Sequence, residues 1–180
     1  MRDQGILAVL GPGLALICSS GAAAQGAMEM PVHDCAAQSA VLSPEFASWA
    51  TRAPVTAAKD KAGLGKAMLV IGKAVDAALP PTSEVRYVLR PEKPGGSVSF
   101  GGIFAFDVKE AGTYRVALGS AAWIDLLEDG KPIASTGHGH GPDCSGIRKM
   151  VAFALKPGRH VLQLSANPVA TAAMMVMRLP

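Results

Sequence analysis

Two runs decide the fold: Gly112-Thr113-Tyr114-Arg115-Val116-Ala117-Leu118, and, after Gly119-Ser120, Trp123-Ile124-Asp125-Leu126-Leu127 with Asp129-Gly130 close behind. Tyr114, Val116 and Leu118 alternate with Thr113, Arg115 and Ala117. A period of two puts the first set on one face of a strand and the second set on the other. Gly119-Ser120 interrupts the pattern, and Trp123 to Leu127 resumes it. Asp129-Gly130 then supplies the residues that tolerate the positive φ angles of a tight hairpin, with residues 131–135 as the return strand.

The same reading extends outward. Upstream, Ala67 to Ile71, residues 73–79 and Val85 to Leu89 are short apolar runs, ended in turn by Gly72, Pro80-Pro81 and Pro91. Residues 97–108 place Phe104, Phe106 and Val108 on one face, and Gly101-Gly102 marks a bulge or bend. Downstream, residues 149–155 and 160–165 flank the tight turn Lys156-Pro157-Gly158-Arg159, and after Asn167-Pro168 a last strand covers 171–179. Roughly eight to ten short strands with closely spaced turns predict an all-β protein, an antiparallel β-sandwich or jelly roll. No strand–helix–strand alternation supports a parallel α/β fold.

At 180 residues the chain is long enough for one domain with a real core. Residues 1–24 read as an export signal: Arg2, an apolar run from Gly5 to Cys18, and Ala22-Ala23-Ala24 before Gln25. The rival reading is a lipoprotein signal with Cys18 lipidated, against which stands the bulk of Ile17. The apolar run is too short for a membrane span. Residues 25–54 form an irregular segment packed on the domain. One short helix is expected in it over 44–51, with Ser43 as cap, Pro44 at its first position and Phe46 and Trp49 on one face. The β-sandwich domain is expected over 55–180, with no linker or internal repeat. A net charge of +3 without a Lys/Arg stripe, and 5% aromatic residues, argue against nucleic-acid binding. No pattern specifies an oligomeric state.

An exported chain is periplasmic or secreted, and it keeps Cys35 and Cys144 when Cys18 leaves with the signal. Two cysteines in an oxidising compartment are expected to pair; the alternative is two buried free thiols. Closing a loop of over a hundred residues stabilises by roughly 4–5 kcal/mol in the chain-entropy picture.

The chemistry concentrates in Gly137-His138-Gly139-His140-Gly141-Pro142-Asp143-Cys144, with His33-Asp34-Cys35 repeating its residue types. A disulfide would draw the two together. Two imidazoles and a carboxylate are the ligand types of catalytic zinc and non-haem iron, so His138, His140 and Asp143, joined by His33 or His160, are the candidate metal ligands. The plainer reading is a solvated glycine-rich loop whose histidines hydrogen-bond the backbone. His160 shares a strand face with Leu162 and Leu164, which reads first as a half-buried, hydrogen-bonded histidine. Copper is a further option, through His33, the loop histidines and the methionines Met28, Met30, Met174, Met175 and Met177. Met175 and Met177 also alternate as ordinary sheet residues. Trp123, Asp125, Arg148, Tyr114 and Tyr87 suit a sugar or small-ligand surface, against the reading of Trp123 as a core anchor. No nucleophile elbow, phosphate loop, zinc-protease helix or C-x-x-C is present.

Residues 112–118, 123–125, 138–149 and 155–160 carry a resemblance to a group of short exported bacterial proteins, some named homogentisate 1,2-dioxygenase. The likeness covers roughly residues 95–180. That name implies a cupin fold with iron held by two histidines and a carboxylate. His138-x-His140 with Asp143 matches part of the first cupin motif, and Pro157-Gly158 with His160 part of the second. The spacing departs from the pattern in both. Ala111-Gly112-Thr113-Tyr114 and Leu155-Lys156-Pro157-Gly158-Arg159-His160 also resemble strand openings and late hairpins of jelly-roll binding modules, which speak to fold more than function.

The function expected first is an exported, non-catalytic binding or envelope-interaction module with no cofactor. Its ligand, a small molecule or glycan, would be held by Trp123, Asp125, His138, His140 and Arg148. The alternatives are a metal-dependent cupin-like enzyme of the dioxygenase type, or periplasmic copper or other metal binding.

Overall fold

The computed structural model describes Cys35 and residues 42–180. The expected export segment, Cys18, Met28, Met30, His33 and Asp34 lie outside the described residues. Ten strands follow in chain order: β1 (Ala53–Thr56), β2 (Ala74–Ala78), β3 (Phe100–Val108), β4 (Gly112–Leu118), β5 (Trp123–Glu128), β6 (Lys131–Pro132), β7 (Gly137–Gly139), β8 (Lys149–Leu155), β9 (Gly158–Asn167) and β10 (Thr171–Arg178). They form two sheets, β1-β2-β10-β4-β8-β7 and β3-β9-β5-β6. The pairing is antiparallel except between β1 and β2. This is the expected all-β sandwich. No helix among the described residues is long and apolar enough to cross a membrane.

The alternation read from the sequence builds the core between the sheets. Tyr114, Val116 and Leu118 of β4 lie beside Val151 and Phe153 of β8 and Met174 and Val176 of β10. Facing them are Phe104 and Phe106 of β3, Leu162 and Leu164 of β9, and Ile124 and Leu126 of β5. Each such side chain stabilises by about 1.5–3 kcal/mol when taken out of water. Asp129 and Gly130 have φ of 51° and 76°, the two positive angles that the β5–β6 hairpin requires. The expected irregularity at Gly101-Gly102 is present as a register shift between Phe100 and Gly102.

Three expected elements take other forms. Residues 44–51 are not an α-helix. Pro44–Phe46 is a single 3-10 turn, and Ser43 makes no side-chain cap bond. At three residues per turn, Phe46 and Trp49 stand one above the other. Both are buried against Ala74, Ala117, Ile147, Met175 and Met177, on the face of the six-stranded sheet that points away from the other sheet. Residues 67–71 are not a strand either. They lie along the free edge of β3, where Ala67 O accepts from Ala105 N at 3.0 Å and Leu69 N donates to Ala105 O at 2.8 Å. Covering an edge in this way prevents stray pairing.

Val85 to Leu89 likewise joins no ladder. A buried side chain takes the ladder's place: Gln163 Oε1 accepts from Val88 N (2.8 Å) and Leu89 N (3.2 Å), and Gln163 Nε2 donates to Leu89 O (2.9 Å). Tyr87 OH donates to Leu164 O at 2.9 Å, and Ser165 Oγ to Lys93 O at 2.7 Å. The segment from Tyr87 to Lys93 is thereby tied to the outer face of β9. The irregular N-terminal stretch gives way to strand at Ala53, the start of β1.

Cys35 and Cys144 are joined, with Cα atoms 5.0 Å apart and a sequence separation of 109. Non-reducing peptide mapping is expected to recover one peptide pair containing both. A C35S/C144S protein should lose up to roughly 4–5 kcal/mol of unfolding free energy, read from its urea midpoint.

Candidate functional site

The four-stranded sheet ends early. β6 pairs with β5 only at Leu127–Pro132 and Glu128–Lys131. Ile133 N adds one bond to Leu126 O at 2.8 Å. Past Ile133 the chain leaves β5 and crosses through residues 134–136 to become β7 on the other sheet. Trp123 to Asp125 therefore lie on an open edge. Opposite them, β8 and β7 carry Lys149, Val151, Phe153 and His138. The gap is a cleft of about 540 Å³. Its floor is apolar (Ile124, Leu126, Val151, Phe153), and its rim carries Glu92, Trp123, Asp125, Ser135, His138 and Lys149.

One polar group there is unsatisfied. Trp123 Nε1 donates to Asp125 Oδ1 at 3.0 Å, but Asp125 Oδ2 is buried with no hydrogen-bond partner. Two other buried side-chain atoms share that state, His160 Nδ1 and Asn167 Oδ1, and both belong to fully buried residues. Asp125, which is only half-buried as a residue, lines the cleft. Burial raises its carboxyl above the usual carboxylate range. The Trp123 indole and the Glu92 backbone amide lower it in part, and the Glu92 charge raises it further.

Other cavities of similar volume are self-satisfied. Beside Trp49, Arg52 Nε meets Asp76 Oδ1 at 2.8 Å. Below Tyr114, Arg178 Nη1 meets Glu110 Oε2 at 3.0 Å. Tyr114 itself is buried, its hydroxyl donating to Glu110 O at 2.8 Å. Burial raises the Tyr87 hydroxyl, whose bond to Leu164 O serves the fold. Neither tyrosine presents the ligand face expected of it.

The structure divides the expected ligand set. Trp123, Asp125 and His138 share the cleft, and Trp123 is half-buried at its rim rather than a core anchor. His140 and Arg148 line an adjoining cavity of about 490 Å³ with Asp143. Lys149 lines both. Sequence reading did not single out Lys149, Lys93 or Glu92. Lys149 opens an ordinary strand, and Lys93 and Glu92 sit in a proline-rich loop, so no local pattern marks them.

The expected Gly-His loop begins as a strand, β7, on the outer edge of the six-stranded sheet. His138 Nε2 lies 3.1 Å from Ser135 Oγ, and His140 Nδ1 lies 2.8 Å from Arg148 O. His160 is fully buried rather than half-buried, on β9 in the other sheet. Its Nε2 is 2.9 Å from Lys156 O, and its ring centroid is 5.6 Å from that of Phe106. Among the described residues, no group of three His, Cys, Asp or Glu side chains converges as metal ligands would. The residues nominated by the cupin resemblance thus do not form its iron cradle, and His33 lies outside the described residues. Met174, Met175 and Met177 are all buried. Met175 Sδ accepts from Ser48 Oγ at 3.6 Å.

No family model matches the chain, and no curated protein matches its sequence. Among solved structures it is similar to the pre-peptidase C-terminal domain of a collagenase from Bacillus anthracis. That match has 12% identity and a TM-score of 0.37, and it covers 69% of this chain and 95% of that one. At this level the likeness says nothing of ligand or activity.

Two measurements test the geometry. A Cβ on Gly141 would run into Ile147, whereas one on Gly137 or Gly139 would meet ordinary contacts at 3.8 and 3.9 Å. G141A should therefore lower stability by about 1–3 kcal/mol, with G137A and G139A nearly neutral. Asp125 gives a pH signature. Because its folded-state pKa is raised, its contribution is full at pH below the ordinary carboxylate pKa and is lost as pH rises through the raised value. D125N, which cannot ionise, should be the more stable protein at neutral pH, by no more than about 1 kcal/mol at this solvent-screened site. The gap should close in acid, as followed by urea midpoints across the range.

Proposed function

We propose that this chain is an exported, non-catalytic β-sandwich module that binds a small polar molecule or glycan, free or as part of the cell envelope, in the cleft between β5 and β8. The observation that carries the reading is the orphaned Asp125 Oδ2 in a cleft with an apolar floor and a polar rim. A buried acceptor without a partner costs free energy that a ligand hydroxyl or amide donor recovers on binding. Trp123 offers ring surface and fixes the carboxylate through its indole N–H. His138, held by Ser135, and Lys149 supply polar contacts at the rim. His140 and Arg148 extend the polar surface into the adjoining cavity. A periplasmic or secreted location is supported by the Cys35–Cys144 pair.

The reading requires no resident metal and no turnover. A screen of glycans and envelope extracts against the purified protein should yield a ligand. D125A should weaken it by about tenfold or more, the worth of one charge-assisted hydrogen bond. W123A should do the same. A ligand whose affinity ignores both substitutions would move the site elsewhere. Catalytic turnover, or stoichiometric iron, zinc or copper in tag-free protein, would overturn the reading.

A further inference from the structure

Two ammonium groups stand against one indole ring. Lys93 Nζ is 4.5 Å from the Trp123 centroid and Lys149 Nζ is 5.7 Å from it. Neither forms an ion pair with a carboxylate among the described residues. Lys149, which lines the cleft, donates to Ala121 O at 3.1 Å and Ala122 O at 2.7 Å, and a third N–H is available to a ligand. The indole face offsets part of the charge, but the two cations repel each other across it. An anion placed beside the ring relieves that repulsion and takes the free N–H.

On the same rim, Asp125 Oδ2 calls for a donor rather than an anion. The rim therefore asks for a ligand with a hydroxyl and a negative charge close together. On this basis, and resting on the cleft assignment above, we propose that the ligand is an acidic saccharide. A sugar hydroxyl would donate to Asp125, and the carboxylate of the same or the next sugar would bind Lys93 and Lys149.

The charged and titratable groups facing that position are Glu92 and Lys93 from the proline-rich loop, Asp125 from β5, His138 from β7 and Lys149 from β8. Glu92 is exposed at the rim and sets a preference for ligands that keep their charge on the lysine side. Burial, and then Lys93, hold the Lys149 ammonium below the usual lysine range. Affinity for the acid should consequently fall at alkaline pH, sooner than a solvent lysine would give.

The test is calorimetric titration of the whole secreted protein with four probes: a galacturonate oligomer as the free acid, its methyl ester, a neutral galactose oligomer and inorganic sulfate. The free acid should bind about tenfold or more tightly than the ester, the worth of one charged contact. K93M removes the ammonium of an exposed side chain with no hydrogen bond of its own among the described residues, so it should leave Tm nearly unchanged and bring acid and ester within about twofold of each other. K149M should act in the same direction, at some cost in Tm from the unpaired Ala121 and Ala122 carbonyls. Equal binding of acid and ester, or binding of sulfate alone, overturns the acidic-saccharide assignment. If a neutral ligand binds and D125A abolishes its binding, this proposal fails and the cleft assignment stands. If a bound saccharide is indifferent to D125A and K93M alike, both fail.

Discussion

The early departure of β6 from the β5 edge shapes the cleft of this sandwich. The β5–β6 ladder stops after two residue pairs and one further bond, from Ile133 N to Leu126 O. The chain then leaves the four-stranded sheet for the six-stranded one. A longer β6 would have paired with Trp123 to Asp125 and closed the gap against β8. Instead the edge stays open, the apolar inner faces of both sheets reach the surface, and a carboxylate is left with one oxygen unpaired. Placement of an incompletely satisfied polar group at an opening, rather than in the closed core, separates Asp125 from His160 and Asn167.

A second constraint holds the opposite wall. The segment from His140 to Arg148 is tied at several points. Cys144 is bonded to Cys35, Trp49 Nε1 donates to Ser145 O at 3.0 Å, Gly141 N to Ile147 O at 3.1 Å, and Arg148 N to Leu118 O at 2.8 Å. These ties fix the start of β8, and with it Lys149 at the cleft. Phe46 and Trp49 bury the outer face of β10, so the six-stranded sheet is covered on both sides over that strand. The polar surface around the cleft thus stands on backbone held by packing and by a covalent link, which favours preorganised recognition over induced fit.

Much of this was legible in the residues. The alternation of Tyr114, Val116 and Leu118, the apolar run from Trp123 to Leu127 and the Asp129-Gly130 turn gave β4, β5 and the β5–β6 hairpin, because side-chain period and turn chemistry are local properties. The apolar runs 67–71 and 85–89 misled for the same reason. Apolar content marks burial, and these segments are held against β3 and β9 without entering a continuous ladder. Gln163 shows why: a buried side chain supplied the hydrogen bonds that a neighbouring strand would have made, and no local pattern announces such a substitution. The three glycines around His138 and His140 looked equivalent in sequence. Space around them shows that Gly141 alone is demanded by close approach, to Ile147.

The sequence by itself determined the strand-forming segments, the sandwich class, the cysteine pair and the inclusion of Trp123, Asp125 and His138 among the ligand candidates. Each of these rests on interactions between near neighbours or on composition. The tertiary structure decided which candidates share a cavity. It separated His140 and Arg148 from the cleft, buried His160 in the other sheet, brought in Lys149 and set Lys93 over the Trp123 ring. The physical reason is that a binding site is made by residues distant in the chain. Lys93 and Lys149 reach one ring only because Ser165 anchors the first's backbone and the second's strand runs opposite the open edge of β5. Periodicity cannot encode that meeting, because it depends on which strand edge the fold leaves unpaired.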